Sequence, residues 1–304
     1  MIHAVCLNAA LDVTYHVPEF TPGASHRVQR VTRRAGGKGV NVARILHQLG
    51  EAVRVVGFAG GDAGHAVIAD LDACGVPHLF VPVEAETRRT MTVVAGDEAT
   101  VLNEPGPGIT AGDWDRLTAE MSRSLARGDV LVLSGSVPPG APVTAYAELI
   151  AIGNEHGALT ALDAEGDVLR AALRSEPAVA KPNVAEAAAT FGLSDPDPLA
   201  AARELVAAGA RDAVVSCGAD GLVAIVAGRR LRVRCAEHVP GNPTGAGDAL
   251  TAGIASGLAN GGPWHELLAD ATALAAAAVA VGHAGEFDDA VRERVRAHID
   301  VEEI

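Results

Sequence analysis

Aromatic side chains make up only 3% of the 304 residues, too few for the stacking platforms on which single-stranded nucleic acids bind. Positive charge is scarce as well: 24 Lys and Arg stand against 38 Asp and Glu, a formal net charge of −14. A duplex-binding protein needs a cationic footprint to neutralise phosphates, so nucleic acid is excluded as a partner. Any anionic ligand must be met by a local pocket. Lysine is nearly missing; Lys38 and Lys181 are the two, and Arg supplies every other basic side chain. Those two positions call for a functional explanation.

The four Cys, at positions 6, 74, 217 and 235, are scattered and show no C-x-x-C spacing, which speaks against a zinc site or a disulfide framework. They read as buried free thiols of a protein in the reducing cytoplasm. The first eight residues lack a basic n-region, and Asp12 arrives before any export-length apolar stretch. Residues 267–281, the longest apolar segment, are interrupted by Asp270 and fall short of the roughly 20 residues a membrane span needs. A buried Ala-rich helix is expected there, and no membrane partner. With 49% hydrophobic residues the chain can fill a sizeable core from Ala, Val, Leu and Ile.

Strand-length apolar runs at residues 2–7, 53–57, 130–133, 159–162, 179–180 and 213–216 alternate with amphipathic stretches. This alternation predicts an α/β fold with a mostly parallel sheet flanked by helices. Residues 12–34 and 88–103 break it with period-two patterns and no intervening helix. They are expected to form a small antiparallel β lid, an excursion from a single domain spanning residues 1–304. Asp195-Pro196-Asp197-Pro198 marks a helix boundary.

The most informative segment is Gly241-Asn242-Pro243-Thr244-Gly245-Ala246-Gly247-Asp248, which opens a helical pattern. Small residues let the backbone of Gly245, Ala246 and Gly247 approach a ligand, and unpaired amides at a helix start attract an anion. A carboxylate beside an anion is self-defeating for binding alone, because like charges repel. It makes sense if Asp248 accepts a proton from a hydroxyl attacking that phosphate. The alternative is a first-turn acid favoured by the helix dipole, worth about 0.3–1 kcal/mol.

Ala35-Gly36-Gly37-Lys38-Gly39-Val40-Asn41 places one of the lysines among glycines at a second helix start. It lacks the G-x-x-x-x-G-K-[ST] spacing of a Walker loop. Together, Gly-Gly-Lys-Gly-x-Asn near the beginning and Thr-Gly-Ala-Gly-Asp near the end resemble the PfkB group of ribokinase-like carbohydrate kinases, over essentially the whole chain. The branch most similar is that of 1-phosphofructokinase and tagatose-6-phosphate kinase. It shares an Asn-Pro-x-x-Asp start, a Thr-Arg pair and a Ser-Gly-Ser-x-Pro-x-Gly loop; this chain carries Ala9 where the Pro usually stands.

The resemblance implies a ribokinase-like fold and roles for named residues. Asp12 would accept hydrogen bonds from sugar hydroxyls. Lys38 and Arg88 would hold the phosphate already on the substrate, one as a point charge and the other bidentately. Gly37, Asn41 and Ser136 would line the sugar site, and Arg27 is a weaker candidate for the same phosphate. Arg89 should face the opposite side of its strand. Asn183 and Glu186 would organise Mg2+ through water, with Lys181 near the ATP, although Asn183 and Glu186 equally fit a capping box. Ser216, Gly218 and Gly221 would approach the nucleotide, or else simply form a turn between strands. Asp248 would be the base, with Gly245, Ala246 and Gly247 as the anion hole. Paired lids would form a homodimer.

The implied reaction is phosphoryl transfer from MgATP to a ketohexose phosphate. Fructose 1-phosphate is the first expectation, with tagatose 6-phosphate and fructose 6-phosphate as alternatives. A nicotinamide-dependent oxidoreductase is disfavoured. The nearest G-x-G-x-x-G lookalike, at residues 106–111, carries Pro107 in the turn and follows a lid strand. A non-catalytic sugar-phosphate binder would leave Asp248 and its anion hole without a purpose.

Overall fold

The computed structural model describes every residue except Asp97, Asp195 and Pro196. Its strands are β1 (Ile2–Cys6), β2 (Ala10–Val17), β3 (Arg30–Gly36), β4 (Val53–Ala59), β5 (His78–Pro82), β6 (Arg88–Ala95) and β7 (Glu98–Asn103). There follow β8 (Val130–Ser134), β9 (Leu159–Asp163), β10 (Val179–Ala180), β11 (Asp212–Ser216), β12 (Leu222–Val226), β13 (Arg229–Cys235) and β14 (Ile299–Glu303). Ten of them form one sheet in the order β14-β13-β12-β11-β10-β9-β8-β1-β4-β5. It is parallel from β11 to β5 and antiparallel at the β12-β13-β14 end. That antiparallel end was not anticipated, although Arg230-Leu231-Arg232-Val233-Arg234 alternates with the period of a half-exposed strand.

Because neighbouring residues of a strand point to opposite faces, β1 feeds two cores. Ile2, Ala4 and Cys6 pack into one, with the helices Lys38–Gln48, Ala246–Asn260 and Trp264–Val279. Val5 and the following Leu7 pack into the other, with Ala111–Ser124, Ala145–His156 and Pro198–Ala207. Both are built mostly from Val, Leu, Ile and Ala, as the shortage of aromatics required, with Phe58, Trp114 and Tyr146 the large exceptions in the second. The Ala-rich segment is the helix Trp264–Val279, and no described helix is long and apolar enough to cross a membrane. Small residues draw this helix tight against Ala246–Asn260: a Cβ on Gly253 would stand 2.5 Å from the Cα of Ala271.

Four strands form a second, smaller sheet in the order β3-β2-β6-β7, from the two segments the sequence had set apart. Its β2-β3 and β6-β7 ladders are antiparallel, and β2 runs parallel to β6 in the middle. Of the proposed helix boundary at residues 195–198, Asp195 and Pro196 lie outside the described residues; Asp197 caps the helix Pro198–Ala207. The expectation of buried thiols holds for Cys6 alone. Cys74 is exposed, and Cys217 and Cys235 are half-buried, because they sit at a helix end, a turn and a strand end, not in the core.

Candidate active site

Open parallel sheets bind ligands beyond the carboxyl ends of their strands, and there the chain gathers its polar motifs. A cavity of about 490 Å³ is walled by Cys6 and Asn8 at the end of β1, Lys38, Arg88 at the start of β6, and Ser134 to Ser136 at the end of β8. Lys38, Arg88 and Ser136 therefore meet as expected, although far apart in sequence. Asn8 knits the wall: its Nδ2 reaches Ser136 Oγ at 3.0 Å and the Pro105 carbonyl at 3.1 Å, while its buried Oδ1 has no partner among the described residues. Arg88 donates from Nε to the Asn8 carbonyl at 3.0 Å, which anchors the guanidinium. Arg89, on the other face, pairs with Glu86 at 2.8 Å.

Asp12 lies mid-strand in β2, with its carboxylate packed over Gly36. Burial raises its pKa, against the Thr90 hydroxyl and the guanidinium groups of Arg88, Arg34 and Arg44. Gly37, at φ 101°, is the left-handed residue that lets the chain leave β3 and enter the helix Lys38–Gln48. The first turn of that helix then presents Lys38 and Asn41.

The helix Ala246–Asn260 starts at Gly245, which caps it in the left-handed region at φ 90°. A Cβ there would stand 2.7 Å from that of Ala284, so the turn requires glycine. One expected donor is already engaged: the Ala246 N–H donates to the Pro243 carbonyl at 3.1 Å. The N–H groups of Gly245 and Gly247 remain as candidate donors to an anion, because the tight turn closes on itself at Ala246. Asp248 is 7% exposed and accepts from Asn41 Nδ2 at 2.8 Å. Burial pushes its pKa up to about 7, with the negative charge of Asp163 adding to the effect and Asn41, Lys38 and Lys181 opposing it. A carboxyl poised near neutrality suits a general base. The structure thus gives the Asn41 amide to this carboxylate.

Asp163 was not singled out in the sequence. It ends β9, is 1% exposed, and stands 3.5 Å from Lys38 Nζ and 3.4 Å from Lys181 Nζ. Burial opposes its charge, but the two ammonium groups outweigh it and hold the pKa below the usual carboxylate value. The available signal was an acid closing a parallel strand at the carboxyl edge. Lys181 is thereby buried against Asp163. Burial disfavours the Lys38 charge too, yet Asp163, Glu186 and Asp248 hold its pKa above the ordinary lysine value.

Asn183 and Glu186 form the reciprocal capping box: Asn183 N–H donates to Glu186 Oε2, and Glu186 N–H to Asn183 Oδ1, both at 2.8 Å. Glu186 keeps Oε1 free of the box, and Lys38 Nζ stands 3.4 Å from it. A cation already faces that oxygen. Among the described residues no group of three or more His, Cys, Asp or Glu could hold a metal. One carboxylate oxygen fits Mg2+, which keeps several waters and leans on substrate phosphates. Ser216 bridges to Asn183 in parallel, and the turn Gly218–Asp220, with Gly221 after it, links β11 to β12. The turn reading of that loop is therefore realised beside the magnesium candidates.

The sequence pattern of the pfkB family carbohydrate kinases matches residues 1–290. Escherichia coli phosphofructokinase-2 in complex with fructose-6-phosphate superposes with a TM-score of 0.89 at 27% identity, covering 97% of this chain and 98% of that one. A Thermotoga maritima protein named as a candidate 1-phosphofructokinase gives 0.87 at 24% identity, over 100% and 99% of the two chains. Arabidopsis thaliana ribokinase, with ribose and ATP, gives 0.77 at 21% identity over 97% and 98%, a likeness of fold. The chain belongs to the pfkB family of carbohydrate kinases.

Proposed function

We propose that this carbohydrate kinase transfers the γ-phosphoryl group of ATP to the free primary hydroxyl of a ketohexose phosphate, with fructose 1-phosphate as acceptor and fructose 1,6-bisphosphate as product. The observation that carries the reading is Asp248, buried at a helix start, held by Asn41 at 2.8 Å, with a pKa of about 7. Asp248 takes the hydroxyl proton as the oxygen attacks phosphorus. The N–H groups of Gly245 and Gly247 meet the charge that develops on the transferred group. Arg88 and Lys38 hold the phosphate the sugar already carries, and Asp12 orients its hydroxyls. Positioning and electrostatics supply most of the acceleration in such loose transition states.

Mg2+, when bound with ATP, would neutralise phosphate charge, and Glu186 with Asn183 would hold it through water. The small sheet would act as a lid that keeps water from the phosphoryl group. The small sheet and the loop beside it expose Phe20, Val28, Val31, Val101 and Leu102, which supports pairing of two lids in a homodimer. A coupled assay of ADP release, run with fructose 1-phosphate, tagatose 6-phosphate, fructose 6-phosphate and unphosphorylated fructose, tests the reading. Fastest turnover of fructose 1-phosphate is expected. A preference for tagatose 6-phosphate or fructose 6-phosphate would move the acceptor, and no ATP consumption with any of them would overturn the proposal.

A further inference from the structure

Lys38 and Lys181, far apart in sequence, reach one carboxylate. Lys38 Nζ stands 3.5 Å from Oδ1 of Asp163, and Lys181 Nζ 3.4 Å from Oδ2. Two hydroxyls complete the cluster. Ser134 donates to Oδ2 at 3.4 Å, and Thr251 Oγ1 lies 3.2 Å from the same oxygen. Thr251 belongs to the helix that carries Asp248 and lies three residues further on, so both face the same side of it. Asp163, Lys181, Ser134 and Thr251 are all buried. Asp163 is not on the cavity wall; it meets the cavity through the side chains it holds.

We propose that Asp163 is a positioning residue that anchors both lysine ammonium groups and ties them to the helix carrying Asp248. A buried carboxylate is costly unless paired and hydrogen-bonded, and this one has two cations and two hydroxyls. A lysine has a long flexible stem and a point charge, so its direction must be imposed from outside. Asp163 imposes it on Lys38 at the cavity wall, with Glu186 at 3.4 Å as the second restraint.

The cluster also governs the proton on Asp248. Asp163, Glu186 and Asp248 are three acids against two lysines. One proton retained by Asp248 therefore balances the charge. Two further titratable neighbours are neutral near pH 7: burial pushes the Cys6 thiol, beside Asp248, up to about 11 and the Tyr146 phenol, beside Asp163, well above its usual value. Removing the Asp163 charge leaves both lysines acting on Asp248 and favours its ionised form. Removing the Lys181 charge does the reverse.

The inference rests on the proposed role of Asp248 as base, but its test does not need turnover. Asp248 is followed by carbon-13 NMR of the ligand-free protein labelled at aspartate carboxyl carbons, its signal assigned by its loss in Asp248→Asn. In Asp163→Asn the titration midpoint should fall by about one unit or more, and in Lys181→Met it should rise. An unchanged midpoint in Asp163→Asn, accompanied only by a lower melting temperature, would overturn the proposal. If Asp163→Asn fails to fold, an unmoved midpoint in Lys181→Met overturns it equally. Activity of Asp248→Asn judges the kinase reading separately: a variant with full turnover removes the base, whatever the NMR midpoints do.

Discussion

Asn41 donates from Nδ2 to Oδ2 of Asp248 at 2.8 Å, joining the first turns of two helices whose residues stand 207 positions apart. The bond favours the charged carboxylate, whereas burial and the nearby Asp163 favour the neutral acid. Their balance leaves the group near neutrality. Turnover should therefore rise with pH through about 7 as Asp248 ionises. Asn41→Ala removes a contact to the charged form, so the acidic limb of kcat against pH should move to higher pH. A limb that stays in place would separate Asn41 from the base.

Asp248→Asn should lower turnover by roughly 100-fold to 10,000-fold, the usual contribution of a positioned base, while ATP binding measured by calorimetry stays close to normal. Near-normal turnover would sink the assignment.

The same substitution should stabilise the fold at alkaline pH. With a folded-state pKa raised from 3.8 to about 7, the native protein holds more protons than the unfolded chain between those values. Stability from this group thus falls as pH rises through that window. Each unit of displacement is worth about 1.4 kcal/mol, so the gain at pH 8 is about 4 kcal/mol at most. Melting curves should show Asp248→Asn above the parent at pH 8 and level with it near pH 4. Equal melting temperatures at both would mean that the carboxylate carries no ionisation cost.

Arg88→Ala should raise KM for the sugar phosphate at least tenfold, on the order of one lost charge-assisted contact, and leave KM for ATP nearly unchanged. Lys38→Ala should do the same and also lower kcat, because Asp163 and Glu186 lose a shared cation. Unchanged sugar-phosphate KM in both variants would show that no phosphate sits there.

How far the sequence disclosed this site depends on the kind of signal each residue leaves. The alternation of strands and helices through most of the parallel sheet was legible because burial imposes periods of two and 3.6 on the apolar residues, whereas β5 and the antiparallel strands β12 to β14 were not. Gly245 and Asp248 were legible because a helix start beside glycines has few chemical uses. Asp163 left only a strand-end acid, and its partners Lys38 and Lys181 lie 125 and 18 residues away in number, on elements that meet only through the sheet order. That Ala246 has its N–H engaged in a turn could not be read either. Its N–H is claimed by Pro243 through a turn geometry that composition does not fix. Asn41 was recognisable as a site residue, but its contact with Asp248 depends on how two helices cross.

Gly245 and Gly247 offer a way to separate the shape of the anion hole from its stability. Gly245 has φ 90°, and a Cβ on it would stand 2.7 Å from the Ala284 Cβ and 2.8 Å from its Cα. Alanine there suffers the left-handed penalty of about 1–2 kcal/mol and also displaces the Ala284 loop. A Cβ on Gly247 meets nothing within 4 Å and improves helix propensity by about 1 kcal/mol. Gly245→Ala should therefore lose both melting temperature and turnover. Gly247→Ala should keep or gain melting temperature yet lose turnover, because its methyl group intrudes where the phosphoryl oxygens approach the helix start. Full activity in a stable Gly247→Ala protein would show that the transferred group passes elsewhere.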